Sequence, residues 1–187
     1  MKCLLSVFFI LIVFGMLSCS NENTPDATLN VPNSRLSFKI NGQEFNYIYP
    51  DDFIVANLEF HFSEATVRIT AHELAGLSPW RNFLNIQDLR YVPNGFWDLP
   101  PTRLYTSATT SLGVDGQVFN NDGLINSGYY TNVNITRIDS IAGYYAMGNT
   151  RITGTFSAKL RRTPSSGGLQ DVLITDGHFN DVILVRD

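Results

Sequence analysis

Period-two alternation narrows most sharply what this chain can fold into. Ile152, Gly154, Phe156, Ala158 and Leu160 alternate with Arg151, Thr153, Thr155, Ser157 and Lys159, which gives one strand an apolar and a polar face. Leu36, Phe38 and Ile40 alternate in the same way before Asn41-Gly42, and Phe45, Tyr47 and Tyr49 continue beyond it. Asn-Gly between two such runs signals a two-residue type I′ hairpin turn. Centring the turn there pairs Phe38 with Phe45, Leu36 with Tyr47, and Lys39 with Glu44, so one register satisfies both faces.

A second hairpin is expected from Ala56, Leu58, Phe60 and Phe62, then Val67, Ile69 and Ala71 after Ser63-Glu64-Ala65-Thr66. Phe62 is expected opposite Val67 and Phe60 opposite Ile69. Asn57, Glu59, His61, Arg68, Thr70 and His72 then share the solvent face. Residues 83–89 read as a strand, Pro93-Asn94-Gly95 and Pro100-Pro101 are breakers, and 106–128 reads as loop with short strands. Residues 129–138 are strand-like, and Asp176-Gly177 reads as the turn of a last hairpin. Gly154 marks a strand position where a side chain would not fit, and Gly177 is expected to supply positive φ. Beyond the first eighteen residues no long period-3.6 segment occurs. The expected fold class is all-β, an antiparallel β-sandwich or partly closed barrel.

The amino terminus carries a different signal. Lys2 precedes an apolar run over residues 4–17, followed by Ser18-Cys19-Ser20. That is the order of a secretory signal, and the run is shorter than the roughly 20 residues a spanning helix needs. Met16-Leu17-Ser18-Cys19 resembles the bacterial lipobox, which implies removal of residues 1–18 and lipid on Cys19. Residues 20–34 are polar, with two prolines, and read as a flexible tether. Its fifteen residues reach at most ~50 Å extended and about 20 Å as a coil. The expected organisation is signal peptide 1–18, lipidated cysteine and tether 19–34, and a single β-sandwich domain over 35–187.

Composition excludes several function classes. Loss of Lys2 leaves 12 Lys and Arg against 17 acids, a net charge of −5. That balance argues against nucleic acid, which is bound by clustered cations. The chain has two cysteines. Cys3 leaves with the signal and Cys19 carries lipid, so the mature domain has no thiol chemistry and no disulfide. Its fold rests on its apolar core.

Three sets of residues carry a family resemblance: Asn134-Ile135-Thr136-Arg137-Ile138-Asp139, Arg151-Ile152-Thr153-Gly154-Thr155-Phe156-Ser157, and Ile174-Thr175-Asp176-Gly177-His178-Phe179. They resemble the strand motifs of a family of Bacteroidota lipoproteins with no established activity. The resemblance covers 127–185 well and the earlier chain loosely. It implies a β-sandwich, an outer-membrane setting and no known catalytic residues. Ser20, rather than Asp, at the second mature position also points to the outer membrane by resemblance to well-studied systems. The sequence leaves the periplasmic or surface face open.

Candidate chemistry is sparse. His61 and His72 share a face with Glu59, and His178 is the third histidine, but alternating strand positions rarely converge as a metal site requires. His72-Glu73 begins like a zincin motif and has Gly76 where the second ligand belongs. Asn120-Asn121-Asp122-Gly123 lacks the acids of a calcium loop and reads as a turn. Asp51, Asp52, Asp88 and Asp98 are available as carboxylates for a hydrolase. Trp80, Phe96 and Trp97, with Tyr91 and Tyr105, could stack on sugar rings from loops, and the competing role is closing the ends of the core. Asp139-Ser140-Ile141 resembles an O-glycosylation acceptor, with Ser140 as the site. The expectation is a membrane-anchored, non-catalytic binding or structural module that needs no cofactor and no metal. Its expected partner is a glycan or an envelope protein. A glycan-binding accessory lipoprotein of a saccharide uptake system is the first alternative, and a hydrolase the second.

Overall fold

A computed structural model of the chain describes residues 33–74, 82–95, 98–121, 127–140, 150–162 and 170–186. Among these residues there are eleven strands and no α-helix: β1 (Arg35–Ile40), β2 (Gln43–Ile48), β3 (Asp52–His61), β4 (Glu64–Glu73), β5 (Phe83–Tyr91), β6 (Leu104–Tyr105), β7 (Thr109–Val114), β8 (Gln117–Asn120), β9 (Tyr130–Ser140), β10 (Thr150–Arg162) and β11 (Gln170–Arg186).

Five of them, in the order β3-β4-β5-β7-β8, make one layer, and six, β2-β1-β11-β10-β9-β6, make the other. The layers are joined on both sides. β11 runs parallel to β3 through Leu184↔Ala56 and Arg186↔Leu58, and β10 meets β8 at Arg161↔Asn120. Because β10 and β11 also pair with each other, seven strands close a ring. The result is a β-sandwich that is at the same time a partly closed barrel, and closure leaves few unpaired edges.

One apolar core fills the space between the layers. Leu36, Phe38, Ile69, Leu84, Ile86, Leu112, Ile135, Ile152, Leu160, Ile174 and Phe179 are all fully buried, each contributing about 1.5–3 kcal/mol by removal from water. A polar tie crosses this core. Asn121 accepts the Thr110 amide at 2.7 Å and donates to the Thr131 hydroxyl at 2.9 Å, which donates to the Thr110 hydroxyl at 2.8 Å. All three residues are buried, and their mutual bonding removes the penalty of desolvation.

The first hairpin has the expected register: Phe38↔Phe45, Leu36↔Tyr47 and Lys39↔Glu44. The second turns two residues earlier than expected, and each cross-strand partner moves by four. Its turn is Phe62-Ser63, so Phe60 meets Ala65 and Leu58 meets Val67. The apolar and polar faces are the expected ones, but Phe62 leaves the core and stands fully in solvent.

The expected last hairpin does not form. Asp176-Gly177 lies inside the single 17-residue strand β11, as a bulge: Ser37 pairs with His178 and Lys39 with Thr175, so Phe38 alone faces both Asp176 and Gly177. A second bulge follows at Asn180-Asp181, opposite Thr153. The residues with positive φ are Asp176 (52°) and Asp181 (50°), not Gly177. Aspartate tolerates that conformation better than most residues, and each carboxylate is paired, Asp176 with Lys39 at 2.9 Å and Asp181 with Arg137 at 2.7 Å. The Lys39 ammonium holds the Asp176 carboxyl below the usual carboxylate range, and Asp176 in turn raises Lys39. A straight strand of 17 residues would run about 56 Å. Bulges bend and coil it, which lets β11 serve both layers.

Gly177 is needed for space. A Cβ there would lie 2.4 Å from the Phe156 carbonyl and 2.7 Å from its ring, and at Gly154 it would lie 2.2 Å from the Asn134 carbonyl and 2.5 Å from the Phe179 ring. Both are cross-strand pairs in which an aromatic ring covers a glycine, Phe156↔Gly177 and Phe179↔Gly154. The tight fit expected at Gly154 is therefore present.

Candidate functional site

The outer face of β3, β4 and β5 holds a polar concavity. It forms where the inward residues Leu58, Val67, Ile69 and Leu89 anchor the sheet and the alternate positions point away from the core. β3 supplies Glu59 and His61, β4 supplies Glu64, Thr66 and Arg68, and β5 supplies Gln87, Asp88 and Arg90, around a groove of about 400 Å³.

A bulge completes the groove. Val67 pairs with Leu89 and Ile69 with Ile86, so Arg68 faces two residues, Gln87 and Asp88. Simple alternation would turn Asp88 inward. The extra residue lets Ile86 and Leu89 both stay in the core while Gln87 and Asp88 both line the groove. Asp88 accommodates this with a φ of 64°, and its Oδ2 accepts the Thr109 hydroxyl at 3.1 Å.

Charges in the groove are arranged in opposition. Arg68 Nη2 lies 3.2 Å from Glu59 Oε1, His61 Nε2 lies 3.5 Å from Glu59 Oε2, and Arg90 Nη2 lies 3.9 Å from Asp88 Oδ1. Three carboxylates therefore stand among two guanidinium groups and an imidazole. Such a surface offers planar donors and acceptors to a neutral polar ligand and little net attraction to a strongly charged one.

At the rim, between His61 and Glu64, sits Phe62. Its φ is 48°, a conformation that costs a bulky residue about 1–3 kcal/mol, and its ring is wholly in solvent. Val92, just past the end of β5, is exposed at the same end of the sheet.

The residues singled out from sequence fare differently. His61 lies in the groove, whereas His72 stacks on Phe53 with ring centroids 4.7 Å apart, and His178 is exposed on β11. Among the described residues no three His, Cys, Asp or Glu side chains gather as a metal site would require. Of the four aspartates, Asp88 is in the groove. Asp52 accepts the Ile48 amide at 2.8 Å and Asp98 the Gly95 amide at 2.8 Å, both as turn-stabilising contacts.

Tyr91 and Tyr105 are not exposed stacking rings. Both are buried and donate to main-chain carbonyls, Tyr91 to Asp98 at 2.8 Å and Tyr105 to Pro101 at 3.1 Å. Burial pushes the Tyr91 phenol up to about 12, with Tyr105 and Asp98 adding to it. Cys19, Trp80, Phe96 and Trp97 lie outside the described residues. Ser140 ends β9 opposite Thr150, and its side chain lies outside them too. Asn120 ends β8 and Asn121 belongs to the buried polar tie, while Asp122 and Gly123 lie outside the described residues.

A second polar cluster lies on the opposite layer. Arg161 lies over the Tyr129 ring at 4.3 Å and Lys159 at 5.2 Å, and the Tyr129 hydroxyl donates to Asp171 at 2.8 Å. That hydrogen bond, with help from Lys159 and Arg161, holds the Asp171 carboxyl below its usual range. Every polar member is occupied within the cluster, which suits a strap between β10 and β11 better than a ligand site.

Sequence reasoning placed Glu59, His61 and Arg68 on one face but did not bring β5 to them. The β4–β5 pairing and its bulge are not local features, and the only available signal was a polar Gln-Asp pair interrupting the alternation of residues 84–91. The chain matches no protein-family model, no curated protein and no solved structure.

Proposed function

We propose that this protein is a lipid-anchored lipoprotein of the outer membrane whose β-domain is a non-catalytic binding module, with the groove on β3, β4 and β5 as its binding face. Phe62 carries the reading. A large ring held in solvent on an unfavourable backbone gives the fold nothing, and local strain of this kind is a mark of functional positions. Its neighbours are polar groups fixed on a rigid sheet, a suitable support for recognition. The anchor rests on Met16-Leu17-Ser18-Cys19 and on the resemblance to Bacteroidota lipoproteins.

Absence of catalysis is supported by the same groove. The two carboxyls of a glycosidase face each other across the scissile bond, free to reach it. Glu59 lies beside Arg68 and Asp88 beside Arg90 instead. Turnover of a polysaccharide by the purified protein, abolished by Glu59→Gln or Asp88→Asn, would overturn this part of the proposal.

A glycan is the ligand class that the rim favours. A sugar presents hydroxyls at its edge and C–H groups on its face, and a groove of paired carboxylates and guanidiniums beside an exposed ring matches both. The test is retention of the full-length protein on a panel of insoluble polysaccharides. Retention that Phe62→Ser and Arg68→Ala each reduce, with unchanged circular dichroism, is expected. A folded protein retained by none of the panel would sink the glycan reading.

A further inference from the structure

The corner where β2 turns into β3 differs from the groove in kind. Ile48, Tyr49, Phe53 and Leu74 are each between 36% and 52% exposed there. They gather around Asp52: its carboxylate accepts the Ile48 amide, it pairs with Glu73 next to Leu74, and Phe53 follows it opposite His72. Four large apolar side chains on one corner exceed the scatter of single exposed residues normal on a surface.

This corner is also where the chain from Cys19 enters the domain. Ser34 is buried, its hydroxyl donates to the Asp181 carbonyl at 2.8 Å, and its carbonyl accepts the Tyr49 amide at 3.1 Å. From Cys19 to Ser34 there are fifteen steps of chain, a span of at most ~50 Å. Phe62 stands at the other end of β3, about 30 Å further along the strand.

We infer that the Ile48–Tyr49–Phe53–Leu74 corner is a membrane-contacting surface, which rests on the lipid bilayer that holds Cys19 and points the Phe62 groove away from it. This rests on the lipid-anchored reading given above. Tyr with aliphatic and Phe side chains is the composition that settles at the headgroup boundary, where apolar side chains enter by about 5–10 Å. The charged groups facing the corner are Asp51, Asp52, Glu73 and Arg35. Asp52 is bound to the Ile48 amide, and Glu73 accepts the Asn82 side-chain amide at 2.8 Å. The acidic excess disfavours an anionic surface, so the contact forms on neutral headgroups and weakens as anionic lipid is added.

The test uses full-length lipidated protein in phosphatidylethanolamine vesicles. One cysteine is added, Asp51→Cys at the corner or Ser63→Cys at the far turn, and labelled with an iodide-quenchable fluorophore. Iodide quenching at position 51 should fall at least about threefold on vesicles, while position 63 stays open. Tyr49→Glu with Phe53→Glu should restore quenching at 51, and phosphatidylglycerol-rich vesicles should restore part of it. Equal quenching at 51 and 63 overturns the inference. So does protection that persists without vesicles or tracks protein density, which would assign the corner to a second copy of the chain. The mass of the amino-terminal peptide separates the two readings. Lipid on Cys19 with an open position 51 overturns the membrane contact alone, and Cys19 without lipid overturns the anchor and the contact together.

Discussion

The two ends of β3 begin from the same strand pattern and finish as opposite surfaces. At its start, Phe53 stands with the apolar Ile48, Tyr49 and Leu74, and Asp52 and Glu73 beside them are tied to a main-chain and a side-chain amide. At its finish, Glu59 and His61 belong to a groove whose charges oppose one another. Both ends expose an aromatic ring, but Phe53 is partly covered and stacks on His72, while Phe62 is fully exposed. The lesson is that alternation sets which way a side chain points, and neighbours from other strands set what kind of surface it joins.

Both ends of β3 rest on the same core, so damage to that core should reach both. Ile69 is fully buried at the centre of β4, and Ile69→Ala should cost about 2–5 kcal/mol. The urea midpoint should drop, and probes at both ends should unfold together; separate transitions would mean that the ends are independently stable. Asn121→Ala should cost about 1–3 kcal/mol by leaving the Thr110 amide without its acceptor. It loosens the tie between β7 and β9, so hydrogen exchange should rise in both layers.

Alkaline pH addresses each end through a buried phenol. Tyr47, near the apolar corner, is raised by burial, with the charges of Glu73 and Asp52 adding to it. Tyr91, near the groove, is raised to about 12. A folded-state value above the unfolded one means that the contribution is complete below the unfolded pKa and is lost as pH rises towards the folded one. Stability should therefore decline between about pH 10 and 12. Tyr47→Phe and Tyr91→Phe should each flatten that decline in thermal melts across pH, and an unchanged slope in both would contradict the assignment.

The two exposed rings should differ by less. Phe62→Ser should change stability by no more than about 0.5 kcal/mol, because the ring has no contact to lose. Phe53→Ser should cost somewhat more, about 0.5–1.5 kcal/mol, through loss of the stack on His72. Chemical denaturation that ranks them in the opposite order would show that Phe62 packs against something in solution.

Legibility followed the range of the interactions. The β1–β2 register could be read because Asn41-Gly42 lies between its partners and every pair is local. The β3–β4 faces were legible, and the register was not, because keeping Phe62 with the other apolar residues looked favourable. The structure instead places it in the turn at positive φ. Residues 106–128 concealed a hairpin, β7–β8, around Asp115-Gly116, since short Thr- and Ser-rich strands carry weak alternation. Asp176-Gly177 carries a turn signal by itself, but β1 on one side and β10 on the other hold the chain extended through it. Tyr91 and Tyr105 lay in segments that read as loop, and the core claimed both.

A period of two is a property of neighbouring residues, so the all-β class and the apolar face of each long strand are written in the sequence alone. Closure of seven strands into a ring, the single bent strand β11, and the arrival of Gln87, Asp88 and Arg90 beside Glu59 and Arg68 emerge only in the folded molecule. Those outcomes depend on pairings between distant segments and on bulges that exist only once the partner strand is in place.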